Sequence, residues 1–159
     1  MDPIIIVMIV QTIVFTATVI VLILQARAQV LAVRADLYAR CQADYSSLIR
    51  MLVQQGELQA IYDDLSKSKP TQWNWPNYDT RQKTMYNYIE LNYELFERIF
   101  YLWKRGWIDN ETWSNWETWL DDLCDHPIFL DVVKDNKGMF GAEFEKYITR
   151  RLKVSGNGT

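Results

Sequence analysis

"IIIVMIVQTIVFTATVIVLIL", residues 4 to 24, contains no charged side chain, and only Gln11, Thr12, Thr16 and Thr18 interrupt it with polar groups. At 1.5 Å of rise per residue such a run spans about 31 Å as a helix, close to the thickness of a bilayer's hydrocarbon core. A 159-residue chain that spends its first 25 positions this way has room for one small domain behind a membrane anchor.

A secretory signal peptide is the competing reading, and "ARA" at 26 to 28 has the small-x-small form of a cleavage site. "MDP" supplies no Lys or Arg for the charged leader of a signal, and the apolar run exceeds the usual central region of one, so an uncleaved anchor is expected. Arg27, Arg34 and Arg40 follow the run closely, whereas only Asp2 and the terminal amine precede it. The positive-inside bias therefore predicts a single pass through the plasma (inner) membrane, with the N-terminus outside and the bulk of the chain in the cytoplasm.

Beyond residue 25 the composition is that of a soluble domain. A net charge of −3 in mixed sign excludes the basic surface that nucleic acid requires, while Arg27, Arg34, Arg40 and Arg50 suit anionic lipid headgroups. Cys41 and Cys124 are expected as free thiols in a reducing compartment.

From Val30 the pattern turns amphipathic with no proline, so the membrane helix is expected to continue. Leu31, Tyr38, Tyr45 and Leu52 recur at strict sevens, with Cys41, Leu48 and Tyr62 on companion positions and Gln55 between the last two. This seam can meet a second copy, a partner's helix or the chain's own C-terminal helices; its aromatic and polar members favour packing on a helical domain over a leucine zipper. Gly56 marks a bend or a close helix contact. "SKSKPTQWNWPNYDT", 66 to 80, then ends the helix at Pro70 and Pro76, with Trp73 and Trp75 expected to pin the loop to the helices beneath.

A helix capped by Asp79 or Thr80 should run to about Arg105 and stop at Gly106, burying Met85, Tyr88, Ile89, Leu95, Phe96, Ile99, Leu102 and Trp103. Asn92 sits in that stripe. After "GWID" a helix capped by Asp109 should place Trp113, Trp116, Leu120 and Leu123 on one face, making an antiparallel hairpin. Pro127 opens a further short helix, Gly138 and Gly141 bracket a turn, and "AEFEKYITRRLK" closes the fold with Phe144, Tyr147 and Ile148 inward. The expectation is all-α: anchor 1–25, long amphipathic cytoplasmic helix 26–66, linker 67–80, helical domain 81–154 and polar tail 155–159, the long helix packing with a small C-terminal bundle.

No pattern of residues points to chemistry, and no enzyme activity is expected. His126 is the single histidine, and "CDHP" lacks the paired spacing of a zinc site. Asp63 with Asp64, and Asp121, Asp122 and Asp125, read as solvated faces rather than acid–base pairs. "DNETWSNWETW" and "DNKGMFGAE" lack the ligand alternation of a calcium loop. No metal site and no cofactor are expected. Five of the seven tryptophans fall within 102 to 120; Trp103, Trp113 and Trp116 read as core, Trp107 and Trp119 as the pair more exposed and available to a partner or to lipid headgroups.

"YLWKRGWIDNETWSNWETWLDDLCDHPIFLDVV" resembles the hairpin and proline-started helix of a bacterial family of small single-pass membrane-anchored helical proteins, a domain of unknown function. The resemblance implies the same layout and brings no catalytic residues. The expected role is a membrane-anchored accessory or assembly subunit touching lipid and either other membrane subunits or a second copy, with Gln11, Thr12, Leu31, Tyr38, Tyr45, Trp107 and Trp119 as candidate contacts. A self-associating scaffold or sensor is the alternative.

Overall fold

A computed structural model describes residues 2–54, 56–67 and 78–155, with side chains through Leu152. The described residues form six helices and no strand: α1 (Pro3–Gln54), α2 (Gly56–Ser66), α3 (Thr80–Lys104), α4 (Asn110–Cys124), α5 (Phe129–Asp135) and α6 (Ala142–Ser155). The fold is all-α. Residues 68–77 of the linker, Trp73 and Trp75 among them, and the last four residues of the tail lie outside the described residues.

The chain divides into two compact units, Met1–Ala39 and Arg40–Thr159. The first is a bare helix. Its apolar run is long and apolar enough to cross a membrane, and none of the most apolar window is covered by other parts of the chain. The second unit begins within α1, so the helical domain starts at Arg40 and not at residue 81; the end of α1 and all of α2 belong to its body. The expected 26–66 helix is helical on both sides of Gln55, which lies outside the described residues. α2 starts at Gly56, and its buried residues Leu58, Ile61 and Leu65 sit one position behind the register that Cys41, Tyr45, Leu48 and Leu52 would project forward. A Cβ at Gly56 would meet nothing within 4 Å, so no close helix contact requires a glycine there.

Central to the second unit is α3, which packs against α2, α4 and α5. Its N-terminus is held by a capping box: Asp79 accepts from the Gln82 backbone N–H at 2.8 Å, and the Gln82 side chain accepts from Asp79 N–H at 3.0 Å. Its C-terminus closes at Gly106, whose φ of 65° lets the Gly106 and Trp107 N–H groups donate to the Trp103 and Leu102 carbonyls, each at 2.8 Å. Asp109 then caps α4 by accepting from the Thr112 N–H at 2.7 Å, which holds its carboxyl below the usual carboxylate range. Side chains from several faces of α3 are buried, with Met85, Ile89, Leu95, Phe96 and Ile99 wholly so. Tyr86, Tyr93 and Phe100, off the stripe read from sequence, are buried as well because α5 and α6 cover those sides.

Pro127 precedes α5 instead of entering it; the turn at His126–Ile128 is closed by the Phe129 N–H donating to the His126 carbonyl at 2.9 Å. The turn from α5 to α6 is tight. Gly138 has φ 84° and its N–H donates to Glu145, while the Gly141 N–H donates to Glu97 at 2.6 Å. A Cβ at Gly141 would lie 2.0 Å from the Tyr101 hydroxyl and 2.8 Å from its ring, so the Tyr101 side chain occupies the space any other residue would need.

Candidate interaction site

The aromatic hairpin between α3 and α4 is built from the caps upward. Closing α3 at Gly106 turns the chain so that Trp103 and Trp113 stack with centroids 5.0 Å apart and planes 10° off parallel. Trp113 is buried, but Trp103 is only half-buried. The helical period places Trp103 on the core stripe, yet it lies in the last turn of α3, where its indole N–H donates to Asn110 at 2.8 Å and the Lys104 ammonium lies over the ring at 5.8 Å. Trp116 is buried against Tyr45 and Phe96.

The pair expected to be more exposed is in fact half-buried. Trp119 lies between Tyr45, 4.4 Å away, and Phe96, 5.0 Å away. Trp107 sits beside the Arg105 guanidinium at 5.6 Å. Tyr45 and Trp119 are therefore brought together: the seam residue, whose neighbours favour packing on a helical domain, meets the tryptophan expected to be more exposed. Arg98 reinforces this joint by pairing with Asp44 at 2.6 Å. Cys41 and Leu48, on the companion positions, are more deeply buried than Tyr45 and Leu52, which lie at the sevens.

In the first unit Leu31 is 63% exposed and Tyr38 half-buried. Thr12, Thr16 and Thr18 each donate to the carbonyl four residues back, Met8, Thr12 and Val14, at 2.8 to 2.9 Å. The threonines are thus satisfied by their own helix. Gln11 makes no such bond.

Asn92 and His126 are buried polar groups that bond only locally, leaving Asn92 Oδ1 and His126 Nε2 without a hydrogen-bond partner among the described residues. Asn92, wholly buried, donates to the Tyr88 carbonyl at 2.7 Å. His126, 2% exposed and stacked near Tyr62 at 5.0 Å, accepts from the Ile128 N–H through Nδ1 at 3.3 Å, and burial pushes its pKa down to about 4. Burial also pushes the Cys124 thiol up to about 12, so neither residue of the "CDH" stretch is poised as a thiolate or a protonated imidazole at neutral pH. Arg151 on α6 reaches Glu117 at 2.6 Å and Asp121 at 3.0 Å on α4, with Tyr147 bonded to Glu117 beside it. Among the described residues no group of three His, Cys, Asp or Glu side chains is arranged to hold a metal.

One surface escaped the reading of the sequence. Glu90, Glu94 and Glu97 line a groove on α3 whose other wall is Met139 and Phe140 from the α5–α6 turn, with Met139 77% exposed. Only the i, i+4, i+7 spacing of the glutamates hints at it, since nothing local in the sequence carries that turn to α3.

No family model, no curated protein and no solved structure matches this chain.

Proposed function

We propose that this chain is a membrane-anchored interaction protein, an accessory or assembly subunit of a larger membrane protein complex with no catalysis of its own. It crosses the plasma (inner) membrane once through residues 4 to 24, with the N-terminus outside and the helical domain in the cytoplasm. The observation that carries this reading is the uncovered helix of the first unit, whose apolar side chains find no partner within the chain. Apolar surface of that extent is stable only in lipid or against another protein. The arginines on its C-terminal flank support the orientation.

The domain adds surfaces rather than chemistry. Trp103 and Trp107 leave part of their indoles open beside Lys104 and Arg105, an arrangement suited to a protein surface or to lipid headgroups.

The test is alkaline extraction of membranes, intact mass of the retained chain, and identification of polypeptides that co-purify in mild detergent. Full-length chain held in the membrane with other subunits is expected. Release by alkali, or a mass lacking residues 1 to 28, overturns the anchor; a monomer with no partner overturns the accessory role. A discrete homo-oligomer without other polypeptides selects the scaffold reading instead.

A further inference from the structure

We infer that the first unit's helix pairs in parallel with the same helix of a second copy of this chain, along an uncharged heptad stripe that runs from Ile4 to Ala39. The inference rests on the anchored reading above.

The stripe alternates steps of three and four residues. One of its two positions is taken at strict sevens by Val7, Val14, Val21, Ala28 and Ala35. The other is taken by Ile4, Gln11, Thr18, Gln25, Ala32 and Ala39. Arg27, Arg34 and Asp36 all fall elsewhere. A straight helix repeats every 3.6 residues, so a 3.5-residue pattern stays on one side only when helices wrap in a left-handed pair. No position within residues 4 to 24 is charged, so this stripe is singled out by its two glutamines and, beyond the span, by its alanines. The stripe differs from the Leu31–Tyr38–Tyr45–Leu52 seam, whose Tyr45 is taken up by Trp116 and Trp119.

Its side chains are open. Ile4, Val7, Val14 and Val21 are 50 to 68% exposed, and the four alanines are exposed too. Within the span β-branched residues fill it apart from Gln11, and beyond the span alanines do apart from Gln25, which lets two backbones approach closely. Gln11 adds an independent argument. It lies three residues, about 4.5 Å, from the middle of the apolar run, where its carboxamide has two donors and an acceptor to satisfy. Thr12, Thr16 and Thr18 bond to their own backbone, but Gln11 and Gln25 have no hydrogen bond among the described residues. Both glutamines stand on the stripe, two heptads apart on the same position.

A second copy is the occupant that fits. A carboxamide is donor and acceptor at once, so Gln11 complements Gln11. Two copies anchored with the same topology are necessarily parallel, which sets Gln11 opposite Gln11 and Gln25 opposite Gln25. A polar residue at one core position of such a pair selects register and pairing partner.

Cysteine replacements in the full chain test this in native membranes, with the unaltered chain, whose Cys41 and Cys124 are buried, as the blank. Under mild oxidation Val14→Cys and Ala32→Cys are expected to give covalent dimers on the order of tenfold more than Ile9→Cys and Val33→Cys, which stand off the stripe. Gln11→Leu should weaken detergent-solubilised dimers roughly three- to tenfold. Equal linkage at all four sites, no linkage, or linkage to a different polypeptide overturns the inference. Alkaline extraction and intact mass on the same samples separate the failures: a chain retained whole in the membrane but unlinked defeats the pairing alone, and a released or shortened chain defeats the anchor beneath it.

Discussion

Phe15 and Phe96 carry the same side chain into opposite surroundings: Phe15 is 71% exposed on a helix with no internal partner, and Phe96 is wholly buried against Trp116 and Trp119. The two units to which they belong differ in where their apolar side chains find contact. The domain satisfies its aromatics internally, with α3 surrounded on several sides. The first unit leaves every apolar side chain up to Val33 to be covered by something else. Apolarity by itself says only that water is avoided; the period and the presence of partners say what replaces it.

The sharpest way to break this contrast is to shorten each phenylalanine. Phe96→Ala is expected to lower domain stability by about 3 to 5 kcal/mol, as buried aromatic deletions do, and Phe15→Ala to leave the unfolding midpoint of the domain unchanged. Chemical denaturation of the detergent-solubilised chain, read by tryptophan fluorescence, measures both. Equal losses would show that the units are not energetically separate.

Acid should act on the domain alone. His126 is the single histidine, and its folded pKa of about 4 lies below the 6.5 of a solvated imidazole. The unfolded chain therefore binds a proton that the folded chain refuses. The associated stability is complete above pH 6.5, declines as pH falls, and is lost by about pH 4, on the order of 3 kcal/mol in all. Denaturation midpoints at pH 7 and 4.5 check the slope, and His126→Asn, which keeps an acceptor for the Ile128 N–H, should reduce it.

The smallest expected effect falls on a helix end. Asp79→Ala removes half of the capping box and should cost about 1 kcal/mol without altering membrane retention, measured by the same denaturation and by alkaline extraction. A change in retention would link the cap to the anchor.

Local chemistry stood out plainly in the sequence, and long-range covering did not. Asp79, Gly106 and Asp109 sit at caps whose signals span a few residues, so α3, α4 and the turn between them emerge where expected. Trp103 was misplaced because helical period assigns a face but not what lies over it in the last turn. The seam through Tyr45 was visible, yet its partner, Trp119, stands more than 70 residues away in sequence. Tyr86 and Phe100 were missed because they become buried only when α5 and α6 return. The start of the domain at Arg40 had no mark in composition, since α1 runs through it without a break.

The turn at Gly141 carries a consequence for how freely this chain can vary. Seven tryptophans make the sequence look conspicuous, but an indole such as Trp107, half open, admits several replacements. At position 141 any side chain would first have to displace the tip of the Tyr101 ring. With the Tyr101 hydroxyl and ring tip seated where a side chain would begin, substitution there turns on whether that ring swings aside, and substitution together with trimming of Tyr101 would be tolerated more readily than the first alone.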